Sequence, residues 1–253
     1  MNSNKTKEVK TLSKSNITIF FILIYLVLFE FAWVNQSSIP KPSMLLETFA
    51  SLITEYNLLN GLFETTAILF PAIFLAILII EFFIRIFLNI ILNFNGIINI
   101  SSPFKYFSFF FFALLFNVIF PNSLLAEFVF ITFLVLGNLI TTLSDASNSI
   151  SKEYIESAES LVLSNGKILS KVFWKSIKPN YYGKLVKIHT NAWLAVIVYE
   201  FIGAVNGVGA IYKLAFDYND LFAIISLGIF IAILILAVNS ILDFVISKLV
   251  FWE

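Results

Sequence analysis

The chain has 253 residues, of which 59% are hydrophobic and 13% charged, whereas an ordinary soluble domain is about 45–50% apolar and about 25% charged. Sixteen Lys and Arg residues balance sixteen Asp and Glu residues, so no basic excess indicates a nucleic-acid partner. Because the chain has no cysteine and one histidine, disulfides, thiolate zinc sites, a cysteine nucleophile and multi-histidine metal clusters are excluded. The composition predicts an all-α, polytopic membrane protein without a cofactor.

Six stretches are long and apolar enough to be membrane-spanning helices, since about 17–25 mostly apolar residues cross the hydrocarbon core. The first is too long for the apolar region of a cleaved signal peptide, and we expect it to remain as an anchor. Only Pro121-Asn122-Ser123 separates the third from the fourth, which predicts a tight helical hairpin. The six predicted spans are Ile17–Val34, Phe63–Ile84, Phe104–Phe120, Leu124–Leu143, Val186–Gly203 and Leu221–Ile246.

The distribution of basic residues predicts the orientation of these spans. If the N-terminus is inside and six spans alternate, fourteen of the sixteen Lys and Arg residues fall on the inner side. Only Lys41 and Lys213 fall outside. Since short cytoplasmic loops carry the excess of Lys and Arg, both termini are expected in the cytoplasm. The predicted location is the cell (inner) membrane.

Two of the connections between the spans contain sequence patterns that predict local structure. Residues 35–62 form an external connection, in which the amphipathic stretch Leu45–Leu59 predicts an interfacial helix. Residues 85–103 are rich in asparagine and carry a turn signal at Asn95-Gly96. That segment either extends the second spanning helix or lies flat at the inner surface.

A third connection, Ser144–Lys184, is the longest polar interruption between spans. It predicts two short helices, Ser151–Leu163 and Lys167–Ile177, of which the second is expected to end before Pro179. Each helix has an apolar stripe, and the second also has a lysine-rich face. This pattern favours a surface that docks another protein over an unpatterned cytoplasmic loop.

Several residues of this loop match a known motif in order and approximate spacing. Glu156-Ser157-Ala158 stands where the motif has Glu-Ala-Ala, and Pro179 matches the second of two expected prolines. Val162 stands where a glycine is expected, Lys175 replaces the first proline, and Gly166 is placed to make the turn a few residues later. The motif is the cytoplasmic loop of permease subunits in binding-protein-dependent ABC importers, which the chain resembles.

The residues after the loop resemble the same family, in the branch that takes up nitrate, sulfonates, taurine and related compounds. The run Ala192–Glu200 has the Ala-Trp…Glu spacing of that branch, and spaced glycines follow it. Asp243, Trp252 and Pro40-Lys41-Pro42-Ser43 also fall at matching places. The resemblance is good over residues 150–253, extends over residues 35–143 and is absent from the N-terminal tail.

The resemblance implies a fold, partners and site residues. It divides the chain into a cytoplasmic tail (1–16), a first anchor with its external connection (17–62) and a type I ABC-importer transmembrane domain (63–253) with a coupling loop at 144–184. A homodimer of this chain is expected to form the pathway, with ATP-binding subunits inside and an extracytoplasmic substrate-binding protein outside. The substrate is expected to be a small anion or a vitamin-like heterocycle. ATPase coupling is assigned to Glu156, Ser157, Ala158, Val162 and Gly166, and the translocation pathway to Trp193, Glu200, Gly203, Gly207 and Gly209.

The chain itself is not expected to be an enzyme. Gly166-Lys167 is followed by Ile168 and lacks the upstream glycine of a phosphate-binding loop, so ATP hydrolysis is assigned to a partner. No catalytic motif and no metal site are recognisable. The alternative function is an ATP-independent secondary transporter or channel, although the sequence has no convincing internal repeat.

Individual residues keep simpler interpretations beside the functional ones. Glu156 can be a solvated side chain on a cytoplasmic helix. Glu200 has either a pathway or gate role or a position near the outer interface, because an ionisable group in an apolar run needs a partner or water. The three glycines allow close helix contact, a re-entrant bend or a plain external turn. For His189, a hydrogen-bonded helix-end side chain is favoured over a proton relay.

Overall fold

The computed structural model describes residues 19–21, 23–32, 41–94, 108–148, 173–203 and 206–249, and its regular elements are all helices. The first is α1 (Ile19–Phe31), and a π-helical turn at Leu28–Ala32 overlaps its last residues. The others in chain order are α2 (Pro42–Thr54), α3 (Leu58–Phe82), α4 (Ile84–Phe94), α5 (Phe109–Ile119), α6 (Leu124–Asn148), α7 (Trp174–Gly183), α8 (Leu185–Gly203), α9 (Gly207–Asp217) and α10 (Leu221–Leu249).

Four described helices are long and apolar enough to cross a membrane: Leu58–Phe82, Leu124–Ser147, Leu185–Gly203 and Leu221–Lys248. They confirm four of the six predicted spans. The predicted first and third spans correspond to the shorter apolar helices α1 and α5. With 11 residues, α5 is about 16 Å long at 1.5 Å per residue, roughly half of the hydrocarbon thickness. The chain is a helical membrane protein with four long candidate spans, and the count of six stays a prediction.

The surface of these helices is suited to lipid. Phe63 on α3 is 73% exposed, Phe82 at its end is 84% exposed, and Leu125 on α6 is 72% exposed. Large apolar side chains at such exposure are unfavourable in water and favourable in hydrocarbon. Outward-facing phenylalanine and leucine therefore agree with a bilayer as the surroundings of these helices.

Local sequence signals explain several helix boundaries. Pro42 occupies the first turn of α2, where its missing N–H has no intrahelical partner to lose. The helix predicted over Leu45–Leu59 is confirmed in part, because α2 ends at Thr54 and Asn57 takes a left-handed φ of 55° before α3. Its interfacial position stays a prediction. Residues 84–94 form a separate helix, α4, after a break at Phe83, and the two alternatives for that segment stay predictions.

The predicted hairpin between the third and fourth spans is confirmed. Helix α5 ends at Ile119 and α6 begins at Leu124. Asn122 takes a left-handed φ of 59°, which asparagine tolerates better than most residues. The Ser123 hydroxyl accepts a hydrogen bond of 3.2 Å from the Ala126 N–H and so caps α6.

The prediction that the second loop helix ends before Pro179 is wrong. Helix α7 contains Pro179 and continues to Gly183. The proline removes an N–H that would have paired near the start of the helix, at the carbonyl of Lys175. The buried face of α7, made by Ile177 and Tyr181, continues across the proline, and Tyr181 makes an edge contact with Trp174. Side-chain packing therefore outweighs one missing backbone bond.

The chain separates into two compact units, residues 1–57 with 215–230 and residues 58–214 with 231–253. In the first unit, the Tyr56 hydroxyl donates to Asp220 at 2.8 Å, and the ring of Phe49 packs against that of Phe230 at 5.2 Å. In the second unit, α6 packs against α3, α4, α5, α7 and α8. The candidate site lies within the second unit.

Candidate functional site

A polar stripe runs along the second half of α6, one of the long apolar helices. Asn138, Thr141, Thr142 and Asp145 recur at i, i+3, i+4 and i+7 and so share one helix face. The hydroxyls of Thr141 and Thr142 donate to their own helix at 2.8 and 2.9 Å, and the Asn138 amide donates to Leu134 O at 3.1 Å. The hydroxyl donors of both threonines are used within the helix, so their oxygen lone pairs remain for a partner outside it.

Helix α8 presents a matching face. Lys184, which directly precedes the helix, and Lys187 and Asn191 within it recur at i, i+3 and i+7, and they line cavities together with the α6 stripe. Both lysine side chains are exposed, and neither has an ion-pair partner in the part of the chain that the structure describes. Asp145 lies across from them and has a partner of its own. Among the described lining residues, two lysines and one aspartate give this wall an excess of one positive charge.

Two cavities separate these faces. The phenylalanine cavity has a volume of about 360 Å³ and is lined by Phe109, Phe112, Phe130, Phe133, Leu134, Gly137, Asn138, Thr141, Asn191 and Leu194. The lysine cavity has a volume of about 440 Å³ and is lined by Asn138, Thr141, Thr142, Asp145, Ala146, Asn180, Lys184, Lys187, Ile188 and Asn191.

The two cavities adjoin at three polar side chains. Asn138, Thr141 and Asn191 line both of them, so these residues stand where an aromatic chamber meets a polar, positively charged one. We call the two cavities together the cleft. Each has a volume in the range of small-molecule sites, which is about 300–1,000 Å³.

A second polar arrangement caps the start of α9. Glu200, which is 4% exposed, accepts hydrogen bonds from the Thr65 hydroxyl at 2.6 Å and from the Gly209 N–H at 2.8 Å. Thr65 in turn accepts from the Val208 N–H at 2.9 Å, and Glu64 accepts from the Gly207 N–H at 3.0 Å. These side chains satisfy N–H groups that have no intrahelical partner, and the carboxylates face the positive end of the helix dipole. We call Glu64, Thr65 and Glu200 the α9 cap.

Close approach explains the glycines at this place. Gly207 has a φ of +83°, and a Cβ there would overlap the Glu200 carboxylate. A Cβ on Gly209 would overlap Ile197 O and stand 2.6 Å from Phe201 N. Gly209 therefore lies at a close contact with the backbone of α8, while Gly207 has a left-handed backbone conformation that suits glycine.

His189 has both ring nitrogens in hydrogen bonds, as the simpler interpretation predicted. The Trp193 indole donates to His189 Nε2 at 3.0 Å, and His189 Nδ1 lies 2.8 Å from Asn239 Oδ1. Since an indole N–H only donates, Nε2 accepts and the imidazole is neutral with its proton on Nδ1. Asn239 donates onward to Thr190 Oγ1 at 2.9 Å, which joins α8 to α10. The arrangement is structural, as expected for a helix-end histidine.

A third, small cavity of about 20 Å³ lies beside Glu200. We call it the glutamate cavity. Helices α5, α6 and α8 contribute to it, together with the α5–α6 turn. It is lined by Asn117, Asn122, Ser123, Leu124, Glu127, Tyr199, Glu200, Gly203 and Asn206.

The predicted site residues divide into three groups. Glu200, Gly207 and Gly209 come together at the α9 cap, and Gly203 lies beside Asn117, with Asn117 Oδ1 2.8 Å from where a Cβ would stand. Trp193 is fully buried against His189 and lines none of the three cavities. The predicted coupling residues Glu156, Ser157, Ala158, Val162 and Gly166 lie outside the described residues, and their role stays a prediction.

The sequence reasoning missed the residues of the cleft. The signal was present, because Asn138, Thr141, Thr142 and Asp145 make a polar stripe with helical spacing where the fourth predicted span ends. Treating that span as uniformly apolar concealed the stripe.

Comparison with known proteins does not identify a family for this chain. No protein-family model matches the chain, and no curated protein matches it. Among the described residues, no group of three or more His, Cys, Asp or Glu side chains could hold a metal ion. Any functional assignment therefore rests on the geometry of the site and on the sequence motifs.

Proposed function

We propose that this chain is the transmembrane permease subunit of an ATP-driven ABC importer. In this proposal the cleft is part of the substrate pathway, and residues 144–184 dock an ATP-binding subunit that hydrolyses ATP. A second copy of the chain completes the pathway in the cell membrane, and an extracytoplasmic binding protein delivers the substrate.

The cleft is the observation that carries the proposal. A polar face on a lipid-embedded helix is energetically unfavourable unless that face contacts protein, water or a transported solute. Asn138 and Thr141 on α6, together with Asn191 on α8, instead line two cavities of substrate size. A polar stripe on apolar helices, open to such cavities, is typical of a transport pathway.

The chemistry of the cleft supports the substrate class that the sequence motifs imply. Lys184 and Lys187 give the lysine cavity a net positive wall, which favours a small anion such as nitrate or a sulfonate. The phenylalanine cavity offers ring faces that suit a flat, vitamin-like heterocycle. Both classes remain within the proposal.

Cysteine accessibility tests the pathway, because the natural chain contains no cysteine and needs no background mutations. Asn191→Cys places a thiol in the cleft, and Phe74→Cys places one at a 63% exposed position on α3 that is expected to face lipid. In inside-out vesicles, a membrane-impermeant anionic methanethiosulfonate should modify the first and spare the second. Equal protection of both thiols would contradict a water-accessible pathway along α8.

The docking part of the proposal has its own test. Ala158→Arg places a long charged side chain in the predicted coupling motif and should uncouple ATP hydrolysis from uptake. Membrane insertion and expression should stay normal. If uptake persists at normal expression, the loop is not the coupling surface.

A specific observation favours the alternative of ion-coupled transport without an ATPase. Glu127 and Glu200 are 5% and 4% exposed and lie within long apolar helices, where ionisable groups mark ion or proton pathways by default. Reconstitution of the chain alone separates the two functions. Uptake driven by an ion gradient in proteoliposomes without ATP would favour this alternative.

A further inference from the structure

Two buried polar side chains at the glutamate cavity have unused hydrogen-bonding capacity. Glu127 is 5% exposed, and its Oε1 has no hydrogen-bond partner. Tyr199 is 4% exposed, and its hydroxyl has none either. Both side chains line the cavity. An unpaired polar atom in a buried site is costly, so such a pair indicates an occupant that contacts both of them.

The charges around the cavity determine the sign of the charge that this occupant carries. Glu127 and Glu200 are direct neighbours. Glu200 is compensated, because it accepts from Thr65 and from Gly209 at the positive end of α9. Glu127 instead forms a hydrogen bond with Glu200 and keeps its Oε1 unpaired, and the described lining residues include no basic side chain.

The backbone also contributes negative electrostatic potential to the cavity. Helix α8 ends at Gly203, which also lines the cavity. The last carbonyls of a helix have no intrahelical partner and form the negative end of its dipole. The Asn117 amide donates to Ala113 O and Tyr199 O at 3.0 and 3.3 Å, so its oxygen is the atom left for a ligand. Oxygen atoms and negative potential thus dominate the cavity.

We propose that the glutamate cavity binds one small monovalent cation of the size of Na⁺. The Glu127 carboxylate supplies the balancing charge, and the Tyr199 hydroxyl, the Asn117 oxygen and Glu200 supply further oxygen ligands. The cavity is half-open, and its volume of about 20 Å³ holds one water-sized particle. Ca²⁺ takes six to eight oxygens, and Mg²⁺ usually retains several waters, so neither fits as well. The proposal goes beyond the permease function and stands independently of the ATPase partner.

The test uses the full-length chain purified in detergent. NaCl replaces choline chloride at constant ionic strength, and the thermal midpoint of unfolding is followed by tryptophan fluorescence. A cation that binds only the folded protein should raise this midpoint in a saturable way, by roughly 5 °C at a hundred times its dissociation constant. Binding of ²²Na⁺ should saturate at equimolar amounts.

Three variants assign the effect to the cavity. Glu127→Gln removes the carboxylate that supplies the balancing charge and should abolish both the shift and the ²²Na⁺ binding. Tyr199→Phe removes one oxygen ligand and should weaken both. Glu47→Gln removes an exposed carboxylate on α2 and should leave both unchanged.

Binding to the natural chain decides the proposal even if a variant fails to fold. Absence of saturable ²²Na⁺ binding would overturn it and leave water as the occupant of the cavity. An equal response in Glu127→Gln would also overturn it. A larger shift with CaCl₂ than with NaCl would overturn the monovalent assignment.

Discussion

Replacing Gly209 by alanine should break the contact between α9 and α8. The new Cβ would overlap Ile197 O and lie 2.5 Å from Glu200 Cβ and 2.6 Å from Phe201 N. Two of these atoms are backbone atoms of a long helix, so no side-chain rotation relieves the overlap.

The expected loss in the free energy of unfolding has two parts. Overpacking in a well-packed region typically costs about 1–3 kcal/mol. Moving α9 away also lengthens the hydrogen bond from the Gly209 N–H to the Glu200 carboxylate, and a bond to a charged group is worth about 1.5–3 kcal/mol. Together they predict a loss of about 3–5 kcal/mol, and a thermal midpoint roughly 10 °C lower for a chain of this size.

Gly183→Ala is the matched control, because a Cβ there meets nothing within 4 Å. Alanine is the better helix former, so this variant should be neutral or more stable by at most about 1 kcal/mol. Thermal unfolding of both variants in the same detergent measures the difference. If Gly209→Ala unfolds within about 2 °C of the natural chain, a shift too small for the predicted loss, the close contact at the α9 cap is not as described.

Three further substitutions, together with one control, test the polar networks. Thr65→Val removes both bonds that its hydroxyl makes in the α9 cap and should lower stability by about 2–3 kcal/mol; Thr66→Val, whose hydroxyl donates only to its own helix, should cost less than 1 kcal/mol. Asn239→Leu leaves the Nδ1–H of the buried histidine unpaired and should cost about 1–3 kcal/mol in the same unfolding assay. Burial and the hydrogen bond to Asp220 raise the pKa of Tyr56 from 10.0 to about 12. Because the folded state keeps the Tyr56 hydroxyl neutral, the stability that this hydroxyl gives to the folded state is complete below pH 10 and is lost as the pH rises through 12. The thermal midpoint should therefore fall over that range more steeply in the natural chain than in Tyr56→Phe.

Local signals were enough to predict much of the fold. The apolar runs predicted the four long helices, and Pro121-Asn122-Ser123 predicted the hairpin. The amphipathic stretch Leu45–Leu59 predicted a helix that overlaps α2. Each of these features depends on residues within a few positions of one another, where helix propensity, capping and hydropathy act directly.

Contacts between distant residues were not predictable in the same way. The bond from Thr65 to Glu200 joins residues 135 positions apart, and nothing local to Glu200 identifies its partner. The continuation of α7 through Pro179 likewise depends on the burial of Tyr181. The glycine spacing after Glu200 was compatible with a close contact, a re-entrant bend or a plain turn, and only the fold identifies the backbone of α8 as the surface that Gly209 approaches.

The central claim is that this chain works with an ATP-hydrolysing partner. The most direct measurement is affinity purification of the tagged chain from native membranes in mild detergent, with the bound proteins identified and quantified by mass spectrometry. We predict an ATP-binding subunit in amounts equimolar with this chain. Recovery of the chain alone, at several detergent strengths and after crosslinking, would contradict the importer assignment and favour a transporter that works without ATP.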